Sequence, residues 1–163
     1  MTLAVLDASA LLALLLGEPG SEKVRAVLAS SALTVVNLGE VVGHFARNGA
    51  AERDIRLVLD PLPIDIVVFD EELAFATGLL LSVMRRLGLS FGDRACLALA
   101  SRLGVRALTA DRSWQSIAET HRGRDRSDPL RGCERIGRAL SHLAQLAGRG
   151  RNPRACARIS GEG

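Results

Sequence analysis

Four acids stand out by where they fall in the chain: Asp7, Glu40, Asp93 and Asp111. Asp7 closes the apolar run Leu3-Ala4-Val5-Leu6, and Asp111 closes Val105-Arg106-Ala107-Leu108-Thr109-Ala110. Glu40 stands among Val36, Leu38, Val41 and Val42, and Asp93 directly follows Gly92. Gathered in one place, these carboxylates would repel one another, and one or more would be driven to protonate unless a cation met them. An oxygen-only set with no His or Cys at useful spacing favours Mg²⁺ or Mn²⁺ over Zn²⁺. Such an ion, or a pair, would acidify a bound water and stabilise in-line attack on a phosphodiester. The acids would then be metal ligands, and the water on the metal the nucleophile.

Each acid also has a plainer reading. An Asp at a strand end or helix start is most often a cap or turn former, which suffices for Asp93 and could suffice for Asp7 and Asp111. Glu40 is harder to explain that way, although its own helix face could be solvated. On spacing alone the two readings stand level. Arg94 and Arg112 each follow one of the acids. They could neutralise the pocket or touch substrate phosphate; surface salt bridges are the plain alternative. Trp114 could stack on a base, but packing under the last helix is the better expectation. His44, His121 and His142 form no constellation, and Cys96 is expected in the core.

The elements that must position these acids read as an alternation. The run 3–6 suits a buried parallel strand and 10–16 a helix, with Asp7 or Ser9 able to cap it. Gly17-Glu18-Pro19-Gly20 breaks the chain, and a short helix opens at Ser21. Residues 33–36 read as a second strand, and Asn37 introduces a helix over 38–48 that carries Glu40. A further helix over 51–59 stops at Pro61 and Pro63. Residues 64–70 read as a β-branched strand, followed by a helix over 71–87. Gly88 ends that helix, a buried helix runs from Asp93 to Leu103, and a fourth strand spans 105–110. Strands alternating with helices imply an α/β class, with a mostly parallel sheet covered on both faces. The strand ends would bring all four acids to one edge of it.

Length and charge narrow the function classes. A chain of 163 residues suits one domain with a core of its own. Residues 1–120 carry 11 basic and 14 acidic side chains, whereas residues 121–163 carry 10 basic and 4 acidic. This predicts a mildly acidic body over 1–120 and a basic tail over 121–163. In the tail Arg and Gly dominate and Val is lost, although 133–147 has the spacing of an amphipathic helix. The start lacks a basic leader, and no apolar run approaches the ~20 residues of a membrane span. Cys96, Cys133 and Cys156 lack metal-type spacing. Free thiols in a reducing cytoplasm are the expectation. A haloacid-dehalogenase-type phosphatase wants a second acid where Ser9 stands. A receiver domain wants a late lysine, and the only lysine is Lys23.

Four segments together carry a resemblance: 5–11 (Val-Leu-Asp-Ala-Ser-Ala-Leu), 36–41 (Val-Asn-Leu-Gly-Glu-Val), 89–100 (Leu-Ser-Phe-Gly-Asp-Arg-Ala-Cys-Leu-Ala-Leu-Ala) and 108–114 (Leu-Thr-Ala-Asp-Arg-Ser-Trp). The chain resembles the PIN-domain family, and within it the VapC-like toxins of prokaryotic toxin–antitoxin pairs. Each motif alone is unspecific; four in order across residues 3–118 are not. The resemblance implies a three-layer α/β/α fold and a Mg²⁺- or Mn²⁺-dependent endoribonuclease whose metal-site acids are Asp7, Glu40, Asp93 and Asp111. Ser9, Asn37 and Thr109 match polar positions beside that site. It further implies a small antitoxin partner, which places a basic side chain in the acidic pocket, and a homodimer.

The ending departs from the family, whose members close with one more short strand soon after the fourth motif. Three readings of the tail stand open: an RNA-binding segment, a partner-binding helix, or an out-of-frame ending. The abrupt loss of Val and rise of Arg and Gly lean toward the third. Against the ribonuclease stands a second class, a PIN-like module that binds an antitoxin or RNA without cutting. Intact acids favour the enzyme, and a missing last strand favours the module.

Overall fold

The computed structural model describes residues 1–84, 87–111 and Trp114. The expectations for Arg112, for the end of the helix over 71–87 and for the tail 121–163 lie outside these residues. Among them run β1 (Ala4–Leu6), α1 (Ala8–Leu16), α2 (Ser21–Arg25), β2 (Ser31–Thr34), α3 (Val35–Arg47), α4 (Glu52–Leu59), β3 (Asp65–Val67), α5 (Glu71–Met84), α6 (Phe91–Leu103) and β4 (Arg106–Leu108). A turn of 3₁₀ helix, Leu28–Ser30, leads into β2.

The four strands form one parallel sheet in the order β3-β2-β1-β4. Val5 pairs with Ala32 of β2 and with Ala107 of β4. β1 is therefore flanked on both sides, and its three residues have no exposed surface. Side chains alternate across a sheet, and the core divides accordingly. Val5 and Ala32 pack against Leu73 and Leu80 of α5 and Cys96 to Ala100 of α6. Leu6 and Leu33 pack on the other face, against Leu11 of α1, Val24 of α2 and Val41 of α3. This is the expected α/β/α sandwich. Burying a side chain such as Leu6 or Leu33 is worth about 1.5–3 kcal/mol, so the short strands are held chiefly by their two faces. Trp114 joins the α5/α6 side, as packing rather than stacking requires. Among the described residues no helix is long and apolar enough to cross a membrane.

Four boundaries differ from the expectation. The fourth strand, expected over 105–110, spans only Arg106–Leu108, so Asp111 lies three residues beyond it. The second strand ends at Thr34, not Val36, because the Thr34 side chain accepts from the Asn37 amide and caps α3. Asn37 therefore lies inside the helix rather than before it. The strand expected over 64–70 shrinks to Asp65–Val67 and lies at an edge of the sheet. The buried helix begins at Phe91, two residues before Asp93. Ser90 caps it, with Ser90 and Asp93 exchanging side-chain to backbone bonds in a capping box.

Candidate metal centre

The chain runs from β1 to β2 and β3 on one side, then returns to place β4 on the other side of β1. At such a reversal the loops leaving the carboxyl ends of the strands diverge and open a crevice, the usual ligand position in open α/β sheets. Asp7, Asn37, Glu40 and Thr109 all follow strands at this end.

Asp7 caps α1 and is 4% exposed. Its Oδ2 accepts from the Ser9 hydroxyl at 2.7 Å, the Ser9 amide at 3.3 Å and the Thr109 hydroxyl at 3.2 Å. Its Oδ1 accepts from Asn37 Nδ2 at 3.2 Å. Ser9 and Thr109 touch each other at 2.9 Å, and the Asp7 amide donates to the Leu108 carbonyl at 2.8 Å, so β1 and β4 are tied together at the site. Burial pushes the Asp7 carboxyl above the ordinary aspartate range; the bonds from Ser9 oppose that push, and the negative charge of Asp93 adds to it.

Glu40 rises from α3 beside Asn37, whose Nδ2 reaches Glu40 Oε2 at 3.1 Å. Desolvation raises its carboxyl above the ordinary glutamate range; the Asn37 bond counteracts this, and the charges of Asp7 and Asp93 reinforce it. The carboxylate lies against the backbone of Gly92 at the start of α6. A Cβ at Gly92 would overlap both Glu40 oxygens and the carboxyl carbon. The glycine is thus what lets α3 and α6 bring Glu40 and Asp93 side by side.

Asp93 sits at the third position of α6. Its Oδ2 accepts from the Ser90 amide at 2.7 Å, while its own amide donates to Ser90 Oγ at 3.0 Å. Its charge is felt at both Asp7 and Glu40. Asp111 follows β4 at the same end of the sheet. Its backbone amide donates to Thr109 Oγ1 at 3.0 Å, and its side chain is exposed. Asp7, Glu40 and Asp93 thus form one electrostatic group, and Asp111 adjoins it through Thr109.

None of the ion pairs among the described residues reaches Asp7, Glu40 or Asp93. Among the described residues Arg94 pairs with none of the acids and forms no surface salt bridge. Its Nε donates to the Ser90 carbonyl at 3.2 Å and its Nη1 to the Thr77 carbonyl at 3.0 Å, with the guanidinium over the Phe91 ring. It fastens the start of α6 to α5. Among the described residues no three His, Cys, Asp or Glu side chains stand close enough to hold a metal ion in this conformation. The donor chemistry nevertheless fits a hard divalent cation: oxygen atoms only, drawn from carboxylates of which Asp7 and Glu40 lie within the field of other acids. Two contributors escaped the sequence reading. Thr34, buried under Asn37, carries no signal beyond a capping residue type. Gly92 is signalled only by its place before Asp93.

The chain matches the family model described as PIN domain over residues 4–120. No curated protein matches it in sequence. It is similar in structure to a chain of DNA-bound VapBC from Salmonella typhimurium, at 17% identity and a TM-score of 0.57, covering 71% of this chain and 92% of that one. A chain of a toxin–antitoxin complex from Klebsiella pneumoniae is similar at 20% identity and a TM-score of 0.53, covering 68% and 89%. A chain of VapBC2 from Rickettsia felis, bound to a fragment of promoter DNA, is similar at 14% identity and a TM-score of 0.52, covering 71% and 92%. At these identities the likeness is one of fold.

Proposed function

This chain belongs to the PIN-domain family, and we propose that it is a Mg²⁺- or Mn²⁺-dependent endoribonuclease, the toxin of a toxin–antitoxin pair acting in the cytoplasm. The observation that carries this reading is the group of Asp7, Glu40 and Asp93, assembled from three separate segments at the reversal of the sheet, with two of the three carboxyls held above their ordinary range. Asp7, Glu40, Asp93 and Asp111 would hold the ion. When bound, it supplies positive charge at the phosphodiester and acidifies a water for attack. The chain's own residues prepare for this. Ser9 and Thr109 saturate one oxygen of Asp7, leaving Oδ1 with a single partner, Asn37, and lone-pair capacity to spare. Asn37 holds Glu40 beside it without adding charge. A carboxyl must be deprotonated to take a cation, so occupancy falls as pH is lowered, sooner where the carboxyl is raised.

A small antitoxin is the partner, a reading supported by similarity to chains of VapBC and toxin–antitoxin complexes; the reading also includes a second copy of this chain. Residues 1–120 form the nuclease unit in this reading, and 121–163 a basic addition. The spread of the acids favours one alternative, a PIN-like module that binds an antitoxin or RNA without cleaving. Incubating the chain with RNA and Mg²⁺, with and without chelator and beside Asp7→Asn, separates the two. The nuclease reading expects cleavage that chelator and the substitution both abolish. RNA that is bound but left whole in Mg²⁺ would leave only the binding module.

A further inference from the structure

Asn37 is wholly buried, and its amide nitrogen faces three acceptors: Asp7 Oδ1 at 3.2 Å, Glu40 Oε2 at 3.1 Å and the Gly92 carbonyl at 3.2 Å. An amide nitrogen carries two hydrogens, so three acceptors share two protons. The other end of the amide is fixed as well. Thr34 Oγ1 donates to Asn37 Oδ1 at 2.7 Å and accepts from the Asn37 backbone amide at 3.1 Å. Thr34 is itself fully buried. A flipped amide would turn its oxygen toward two carboxylates and a carbonyl, and would leave the Thr34 proton without its acceptor. The orientation is therefore determined from both sides.

We infer that Thr34 and Asn37 form a positioning pair, in which a hydroxyl locks a neutral amide that sets the spacing of Asp7, Glu40 and the first turn of α6. This rests on reading the site as a cation centre. A charged donor in the same place would satisfy the acids and shut a cation out. A neutral one gathers the carboxylates while leaving their charge uncompensated. Because the two protons are shared among three acceptors, an incoming cation can take over a carboxylate oxygen and leave the amide with full partners. Thr34 touches none of the acids and acts only through Asn37.

The test measures Mn²⁺ affinity of the full chain by calorimetry, beside exchange of the Asn37 side-chain amide protons by NMR without metal. Asn37→Ala is expected to weaken Mn²⁺ binding about 10–100-fold, the range for a residue that orients metal ligands. Asn37→Ser carries the same expectation if the alanine variant does not fold. Thr34→Val should weaken binding by a smaller factor, speed amide exchange about tenfold through the lost hydrogen bond, and add nothing in the Asn37→Ala background. Thr34→Ser should restore wild-type behaviour on both measurements. Wild-type affinity in the Asn37 variants overturns the inference alone, as does an equal effect of Thr34→Val in both backgrounds. A wild-type chain that binds no Mn²⁺ overturns the inference together with the proposed function.

Discussion

Replacing Gly92 by alanine puts a methyl group where the Glu40 carboxylate lies. Both carboxylate oxygens and the carboxyl carbon fall inside any contact a Cβ tolerates, so something must move. Gly92 is the second residue of α6 and has no positive φ, so its backbone accepts alanine. The obstructing atoms are the far end of a flexible side chain, and Glu40 can swing away without disturbing the core. The helix gains from the exchange, by at most about 1 kcal/mol in an interior position and less in a first turn. Against this stands the lost bond from Asn37 to Glu40, about 1–3 kcal/mol for a charged acceptor. The loss outweighs the gain, and Gly92→Ala is expected to fold with a stability about 0–3 kcal/mol below wild type. The site responds differently. With Glu40 displaced, Mn²⁺ affinity should fall about 10–100-fold, and RNA cleavage with it. Gly78→Ala is the control: a Cβ there meets nothing within 4 Å, so it should stabilise α5 by up to about 1 kcal/mol and leave affinity alone. Thermal unfolding and calorimetric Mn²⁺ titration of the three chains suffice. A Gly92→Ala chain that binds Mn²⁺ as tightly as wild type would refute the claim that this glycine makes room for a working Glu40.

Two further outcomes follow from the geometry. The Asp7 and Glu40 carboxyls hold their protons to higher pH in the folded chain than in the unfolded one. Their contribution to stability is therefore complete below the ordinary carboxyl range and lost as pH rises through the raised values. In chelator, the melting temperature of Asp7→Asn, which keeps a capping oxygen, should stand higher relative to wild type at pH 7 than at pH 4; scanning calorimetry showing the opposite order would contradict the burial argument. Arg94→Met removes two bonds from a half-buried guanidinium to the carbonyls of Ser90 and Thr77, and urea unfolding should register a loss of about 1–3 kcal/mol. A change under about 0.5 kcal/mol would return Arg94 to the class of ordinary surface arginines.

What could be read from the chain and what could not divides along a physical line. Asp7 was visible as a strand end because four apolar residues run into it, and the strand exists as expected. The same logic failed at Val35 and Val36. Two β-branched residues read as strand, but the bond from the Asn37 amide to Thr34 Oγ1 starts the helix ahead of them. At the other helix the box Ser90-Phe91-Gly92-Asp93 is a local pattern, and its capping residue is Ser90, with Asp93 as the reciprocal partner inside the helix. Gly92 and Thr34 matter because α3 and α6 approach each other, and no local pattern records an approach between segments more than fifty residues apart. Asp111 stands between the cases: the strand before it is present but ends at Leu108, three residues short of the acid, and the Asp111 backbone amide reaches the site by donating to Thr109 Oγ1.

Asp7 and Asp93 each do two jobs. Asp7 starts α1, and Asp93 completes the capping box of α6. Loss of a capping side chain costs about 0.5–2 kcal/mol whether or not any reaction takes place. Glu40 caps nothing, and its bond to Asn37 and its place against Gly92 belong to the acidic group. If catalysis ceased to matter to a lineage, folding would go on guarding Asp7 and Asp93 long after it had stopped guarding Glu40. Among relatives of this chain, survival of the two aspartates is therefore weak testimony of activity. Survival of the glutamate, together with a glycine facing it, is the stronger witness.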